Sequence, residues 1–287
     1  MKRFTPLLLI AFFACAFTSD KQAFQFFDNK GRPTTYDKIL KEIVKEKPDV
    51  IFFGEAHNNP ISHWLELELT KDLNGLQKGK IKLGAEMFES DNQLVVNEYL
   101  AGKMSDKTFS DEAKVWTNYK TDYKPLLDFA KDNKLKFIAT NIPTRYARMV
   151  YNFGLPSLDS IDSESKKWMA ALPIRYNEYL KCYQDIFKAA EGHASPNLPK
   201  SQAIKDATMA TFILKNTEKG ELFIHFNGTY HSDNNEGIVW YLKQEKPDLK
   251  IIVISSVEQE NILKPEKEII GIANYVVCIP KTMTKTY

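Results

Sequence analysis

The sequence predicts an α/β fold, with a mostly parallel sheet flanked by helices and an all-helical insertion. Three observations carry that reading. Short apolar runs recur along the chain and read continuously rather than alternately, as strands do when both faces are covered. Helical patterns separate these runs, and strands alternating with helices build a parallel sheet. A Pro-Asp turn follows a helix and precedes a strand twice, in "KEKPDV" and "QEKPDLK".

The predicted strands are 49–54 (DVIFFG), 81–88 (IKLGAEMF), 135–140 (LKFIAT), 221–226 (ELFIHF) and 249–255 (LKIIVIS), with 275–280 (YVVCIP) as a final one. A helix follows the first strand in "NNPISHWLELELTKDL". Asn59 is its N-cap, Pro60 its first helical residue, and Leu65, Leu69 and Leu73 recur along one face. The next, "SDNQLVVNEYLAG", starts on Ser90 or Asp91 and closes at Gly102, a C-terminal cap. "TDYKPLLDFAKDNK" and "PTRYARMVYNFG" continue the alternation. The interval 155–220 breaks it and reads as helical throughout, the kind of insertion that carries function or a lid. Inside it, "RYNEYLKCYQDIF" sets Tyr176, Leu180, Tyr183 and Phe187 on one helical face, a stripe that reads first as core packing. The simplest organisation is a leader at 1–16 and one domain over 17–287.

The leader has a basic start, "MKR", an apolar run and small residues. Ala14-Cys15-Ala16 fits cleavage after Ala16, while "FFAC" fits a degenerate lipobox in which Cys15 is lipidated. Both routes export the protein, and a lipid on Cys15 would be its membrane contact. Removing Lys2 and Arg3 from the 39 basic residues leaves 37 against 37 acidic ones. A chain without net charge has no global pull on nucleic acid, so no nucleic-acid partner is expected. Cys182 and Cys278, the cysteines outside the leader, make neither a disulfide scaffold nor a thiolate metal site; they could pair in an oxidising compartment, but read first as unpaired thiols.

Polar residues gather where strands end, and in open parallel sheets ligands bind beyond those carboxyl ends. The first strand runs into Glu55 and His57, the second into Glu86, the third into Asn141 with Arg145 and Arg148 behind it, and the fourth into Asn227 and His231. Gly54 and Gly228 stand three residues before the two histidines, as if to let the backbone turn there. Two histidines with carboxylates suit a divalent transition metal, here His57, Glu86 and His231. The helix starting at Asn59 should disfavour protonated imidazole at His57 and His63. A lone Glu or His after a strand is more often structural than catalytic, and for Glu86 the two readings stand about even. His225, in mid-strand, reads as a core residue, and His193 as exposed.

The segments "IFFGEAHNNPISHWLELEL", "GAEMFESDNQLVVNEYLAG", "ATNIPTRYARMVYNFGL", "SQAIKDATMA" and "HFNGTYH" stand in the order seen in ChaN-type proteins, and the chain resembles that family from about Tyr36 to Glu260. Its members are exported, iron-regulated bacterial lipoproteins that bind haem. The resemblance implies a haem protein of the periplasm or outer membrane working in iron uptake, with a homodimer holding haem between subunits as one arrangement. Haem needs an axial ligand and cations for its propionates. Tyr146, Tyr176, Tyr230, His57 and His231 are candidates for the first, and Arg145, Arg148 and Arg175 for the second. The chain is also similar to the wider Tiki and erythromycin-esterase-like group. There, paired G-x-x-H motifs and a glutamate form a hydrolytic centre, matched here by Gly54–His57, Gly228–His231 and Glu86. The alternative this implies is a metal-dependent peptidase or esterase, with Glu55 as a further base.

Overall fold

A computed structural model describes residues 21–287; the leader and Cys15 lie outside the described residues. Along the chain run β1 (Gln25–Asp28), β2 (Pro33–Thr34), α1 (Tyr36–Glu46), β3 (Val50–Glu55), α2 (Pro60–Leu76), β4 (Ile81–Glu89), α3 (Gln93–Leu100), α4 (Asp106–Glu112) and α5 (Lys124–Asp132). They are followed by β5 (Lys136–Asn141), α6 (Thr144–Phe153), α7 (Lys181–Ala189), α8 (Leu198–Asn216), β6 (Leu222–Gly228), α9 (Ile238–Glu245), β7 (Ile251–Gln259) and β8 (Tyr275–Pro280). The strands form one sheet in the order β2-β1-β8-β7-β3-β6-β4-β5. Every pairing from β8 to β5 is parallel, and β1 and β2 add an antiparallel edge beside β8.

Both faces of the sheet are covered, which is why its strands read as continuous apolar runs. In β3, Ile51 and Phe53 face a core shared with Leu65, Leu69 and Leu73 of α2. Val50 and Phe52 face the opposite core, with Ala207, Ala210 and Ile213 of α8 and Leu242 of α9. Each buried Phe or Ile contributes about 1.5–3 kcal/mol relative to exposure. The start of α2 is set as its sequence predicts: Pro60 opens the helix and the Asn59 side chain accepts the Ile61 N–H at 3.0 Å.

The interval 155–220 holds no strand. Its main element, α8, crosses the sheet from the end of β5 to the start of β6 and packs on β5, α6 and α9. The "RYNEYLKCYQDIF" stripe is corrected. Helix α7 begins only at Lys181, so Tyr176 precedes it and Phe187 is exposed, while Leu180 and Tyr183 are buried. The β1–β2 hairpin escapes prediction because two short strands carry too few apolar positions to show a period. Cys182 and Cys278 are both buried and free. No helix among the described residues is long and apolar enough to cross a membrane.

Candidate functional site

The topology explains why two G-x-x-H motifs so far apart in sequence meet. Strand β6 inserts between β3 and β4, and its register sets Gly54 beside Asn227 and Glu55 beside Gly228. On its other side β6 sets Phe226 beside Ala85, which brings Glu86 to the same rim. The glycines serve a different purpose from the one predicted. Gly228 has φ −58° and needs no special conformation. A Cβ there would stand 2.8 Å from His57 Nε2 and 3.6 Å from Glu86 Oε2, so the glycine makes room for the imidazole. At Gly54 a Cβ would come 3.3 Å from Thr229 Cα, in the turn that delivers His231.

Glu86, His231 and Asp206 form a buried relay. Glu86 Oε2 accepts the Gly228 N–H at 2.9 Å, and Oε1 lies 3.1 Å from His231 Nε2. His231 Nδ1 meets Asp206 Oδ1 at 2.5 Å, and Tyr183 donates its hydroxyl to Asp206 Oδ2 at 2.8 Å. Burial alone would lower the His231 pKa, but Glu86 and Asp206 on either side lift it to about 10. Burial likewise works to raise Glu86, and the charge and hydrogen bond of His231 hold it well below the usual carboxylate range. Asp206 stays above its usual value because burial outweighs the help from His231. With a carboxylate against each ring nitrogen, the imidazolium form of His231 is favoured. Asp206 escaped any role in the sequence; its signal was one acidic residue inside the apolar run of "AIKDATMA".

His57 stands in front of this relay, partly exposed and edge-on to Trp116 with ring centroids 5.0 Å apart. Its Nδ1 lies 2.8 Å from Glu55 Oε1, which also accepts the Tyr123 hydroxyl at 2.7 Å. Burial opposes the charged imidazole, yet Glu55 and Glu86 together raise its pKa above 6.5, against the expectation from the α2 dipole. A carboxylate in direct hydrogen-bond contact outweighs partial charges at a helix end. His225 is the core residue it was read to be, held between Thr140 Oγ1 at 2.8 Å and Asn227 Oδ1 at 2.9 Å, with burial pulling its pKa to about 4. His193 is exposed.

A cleft of about 260 Å³ opens over Glu86, Met87 and Asn141, walled by Trp116, Arg148, Tyr151 and Lys205. A shallower basin of about 530 Å³ adjoins it, lined by Glu89, Lys114, Thr144, Arg145 and Arg148. The structure therefore brings Glu55, His57, Glu86 and His231 together, with Arg148 on the cleft wall and Arg145 in the basin. Arg145 also pairs with Asp91 at 2.6 Å and lies over the ring of Tyr146, which is half-buried. Tyr230, 46% exposed, sits on the turn just before His231. Two candidates are not at this rim. Arg175 lines a separate groove of about 600 Å³ with Ala207, Ala210 and Tyr241, on the α8–α9 side. Tyr176 packs beside Tyr183, ring centroids 5.8 Å apart.

A family model described as "Haem-binding uptake, Tiki superfamily, ChaN" matches residues 43–242, the span that holds every residue of the relay. The chain belongs to the haem-binding ChaN family. Its fold is that of the ChaN of Campylobacter jejuni, solved with cofacial haem, at TM-score 0.65 and 17% identity over 88% of this chain and 96% of that one. A Bacillus cereus protein of solved structure is also similar, at TM-score 0.52 and 11% identity, over 85% of this chain and 90% of the other. Among curated proteins, the Arabidopsis thaliana chloroplastic protein RETICULATA-RELATED 5 is 27% identical over 144 residues, 47% of this chain; the match spans about a fifth of that protein's length (19%). The ChaN match covers β3 to α9, so the paired motifs, Glu86 and Asp206 all belong to the family's own stretch of chain.

Proposed function

We propose that this protein binds haem at the rim of its sheet and serves iron uptake as an exported envelope protein. The cleft beside Glu86 carries the reading. An apolar and aromatic wall of Met87, Trp116, Ala147, Tyr151 and Leu198 stands next to the cations Lys114, Arg148 and Lys205. Such a wall suits one face of a porphyrin, and such cations suit its propionates. At about 260 Å³ the cleft is too small to enclose a haem, since pockets that wrap drug-sized ligands run from about 300 to 1,000 Å³. Haem would therefore lie against the rim with one face uncovered, which favours a second copy of the chain closing over it.

Tyr230, half-exposed on the turn before His231, is the axial ligand proposed for the first test. His231 has both ring nitrogens engaged by carboxylates, and Tyr176 packs against the ring of Tyr183. The basic, apolar leader and the small residues that follow support export, and Cys15 is the candidate lipid anchor.

A haemin titration of the protein, read by its Soret band, tests the proposal. A saturable shift that Tyr230→Phe abolishes and Tyr176→Phe leaves intact is the expected result. The absence of any shift at micromolar haemin would overturn it. The second reading is hydrolysis. It is favoured by the relay that fixes a carboxylate, Glu86, beside the half-open His57, the pairing an acid–base site uses. His57 would serve as base, with Glu55 orienting it. Turnover of model esters or peptides that His57→Ala eliminates would support it, and its absence in both proteins would exclude it.

A further inference from the structure

Behind His57, away from the cleft, a second polar cluster is sealed inside the protein. His63 and Glu66 of α2 and Glu55 of β3 are 5%, 0% and 2% exposed. His63 Nε2 faces two acceptors, the His57 carbonyl oxygen at 3.0 Å and Asp122 Oδ2 at 3.4 Å. Those oxygens accept, so Nε2 carries a proton, and Nδ1 is the ring nitrogen left to face the carboxylates. That nitrogen looks onto Glu66 Oε2 at 3.1 Å and Glu55 Oε2 at 3.7 Å. Glu55 Oε2 and Glu66 Oε1 have no hydrogen-bond donor. Three potential ligand atoms thus converge in a dry place, and two carboxylate oxygens there lack a hydrogen-bond partner.

We propose that Glu55, His63 and Glu66 bind a single divalent first-row transition metal ion in a buried structural site behind the rim, with which it shares Glu55. Ligand atoms of these three residues lie within 4.8 Å of one another, and among the described residues this is the one such trio of His, Cys, Asp and Glu. Metal–nitrogen and metal–oxygen bonds of about 2.0–2.2 Å separate neighbouring donors by about 3.3–3.5 Å, which the observed 3.1 and 3.7 Å bracket. Asp122, on the far side of the imidazole, completes the carboxylate–histidine–metal arrangement that fixes a ligand's tautomer. A carboxylate-rich set with one imidazole suits manganese, iron or zinc. The ion would tie α2 to the end of β3, and the other oxygen of Glu55 would still hold His57.

The competing occupant is a proton shared among His63 Nδ1, Glu55 and Glu66. The test uses the full chain, stripped with a chelator and titrated with Co2+ while its visible d–d absorption and melting temperature are followed. One Co2+ per chain is expected, with a rise in melting temperature and X-ray absorption showing one imidazole among oxygen donors. Glu66→Gln and His63→Gln should each weaken binding at least about 10-fold. Absence of Co2+ binding by the unsubstituted chain would assign the cluster to the shared proton and overturn the proposal. So would two imidazoles in the absorption spectrum, or loss of binding in Glu86→Gln but not in Glu66→Gln. The stoichiometry and the spectrum need no substitution, so they decide the matter even if a variant fails to fold.

Discussion

Asp206 on α8 reaches His231 on the far side of the sheet rim at 2.5 Å, and through it charges the ring that faces Glu86. This pair joins the all-helical interval to the paired-motif site. Asp206→Asn should remove half of the imidazolium's support. Breaking a buried ion pair from one side costs about 3–5 kcal/mol, so a loss of that size in urea unfolding is expected. In the same variant the His231 pKa should fall from about 10 toward its usual value, read from the ring proton shifts by NMR. An unchanged titration would mean that Glu86 alone holds the charge.

Two glycines make a second prediction by contrast. At Gly228 an added methyl meets the tip of the partly exposed His57 side chain, which can turn aside more readily than backbone. Gly228→Ala should cost about 1 kcal/mol or less yet displace His57. At Gly237 the added methyl meets the His231 carbonyl oxygen at 2.5 Å, and φ is +56°. Backbone cannot yield as a side-chain tip does, so Gly237→Ala should cost about 2 kcal/mol or more. Thermal melts of the two variants compare them directly.

The dependence of stability on pH follows from three buried groups. His231 is raised to about 10, so its contribution is fully present below pH 6.5 and is lost as pH rises through about 10. His225 is lowered to about 4, so the fold loses stability as pH falls from 6.5 toward 4, where the unfolded chain takes a proton that the native core refuses. Glu86, held low, adds a loss below about pH 4.5 as the pH falls toward its folded value. These three alone would place the maximum near pH 6.5, and the buried carboxyls Asp206, Glu66 and Asp233, all raised, move it to the acid side because the native state keeps their protons. Melting temperatures across pH 4–10 test this, and Asp206→Asn should flatten the alkaline side.

Haem binding should separate from folding. Tyr230 is half-exposed, so Tyr230→Phe should change stability by no more than about 0.5 kcal/mol while removing the Soret shift. Arg148→Ala should weaken haem binding because Arg148 borders both the cleft and the basin, whereas Arg175→Ala in the α8–α9 groove should leave it unchanged. Equal effects from both arginines would point to a nonspecific charge attraction.

Much of this was legible in the chain, for local reasons. The continuous strands, the Asn59 cap, the Leu65–Leu69–Leu73 face and the core role of His225 all follow from periodicity and burial, which act within a few residues. The helix predicted over Tyr176 to Phe187 failed for a local reason too: a run of aromatics at helical spacing says nothing about where the helix begins. Arg175 and Tyr176 then fell away from the rim because the chain enters α7 from the α8–α9 side. Glu66, Asp122 and Tyr123 were passed over because each looked like an ordinary member of an amphipathic segment.

By itself the sequence determined the α/β class, the family, and the four residues Glu55, His57, Glu86 and His231 at strand ends. The tertiary structure alone decided what those residues are to one another. Inserting β6 between β3 and β4 aligns Glu55 with Gly228, leaves His57 packed where a Cβ would be, and backs His231 with an aspartate from α8. Strand order depends on contacts between segments far apart in the chain, and the charge on a buried imidazole depends on which carboxylates surround it in space. Neither quantity has a local signature.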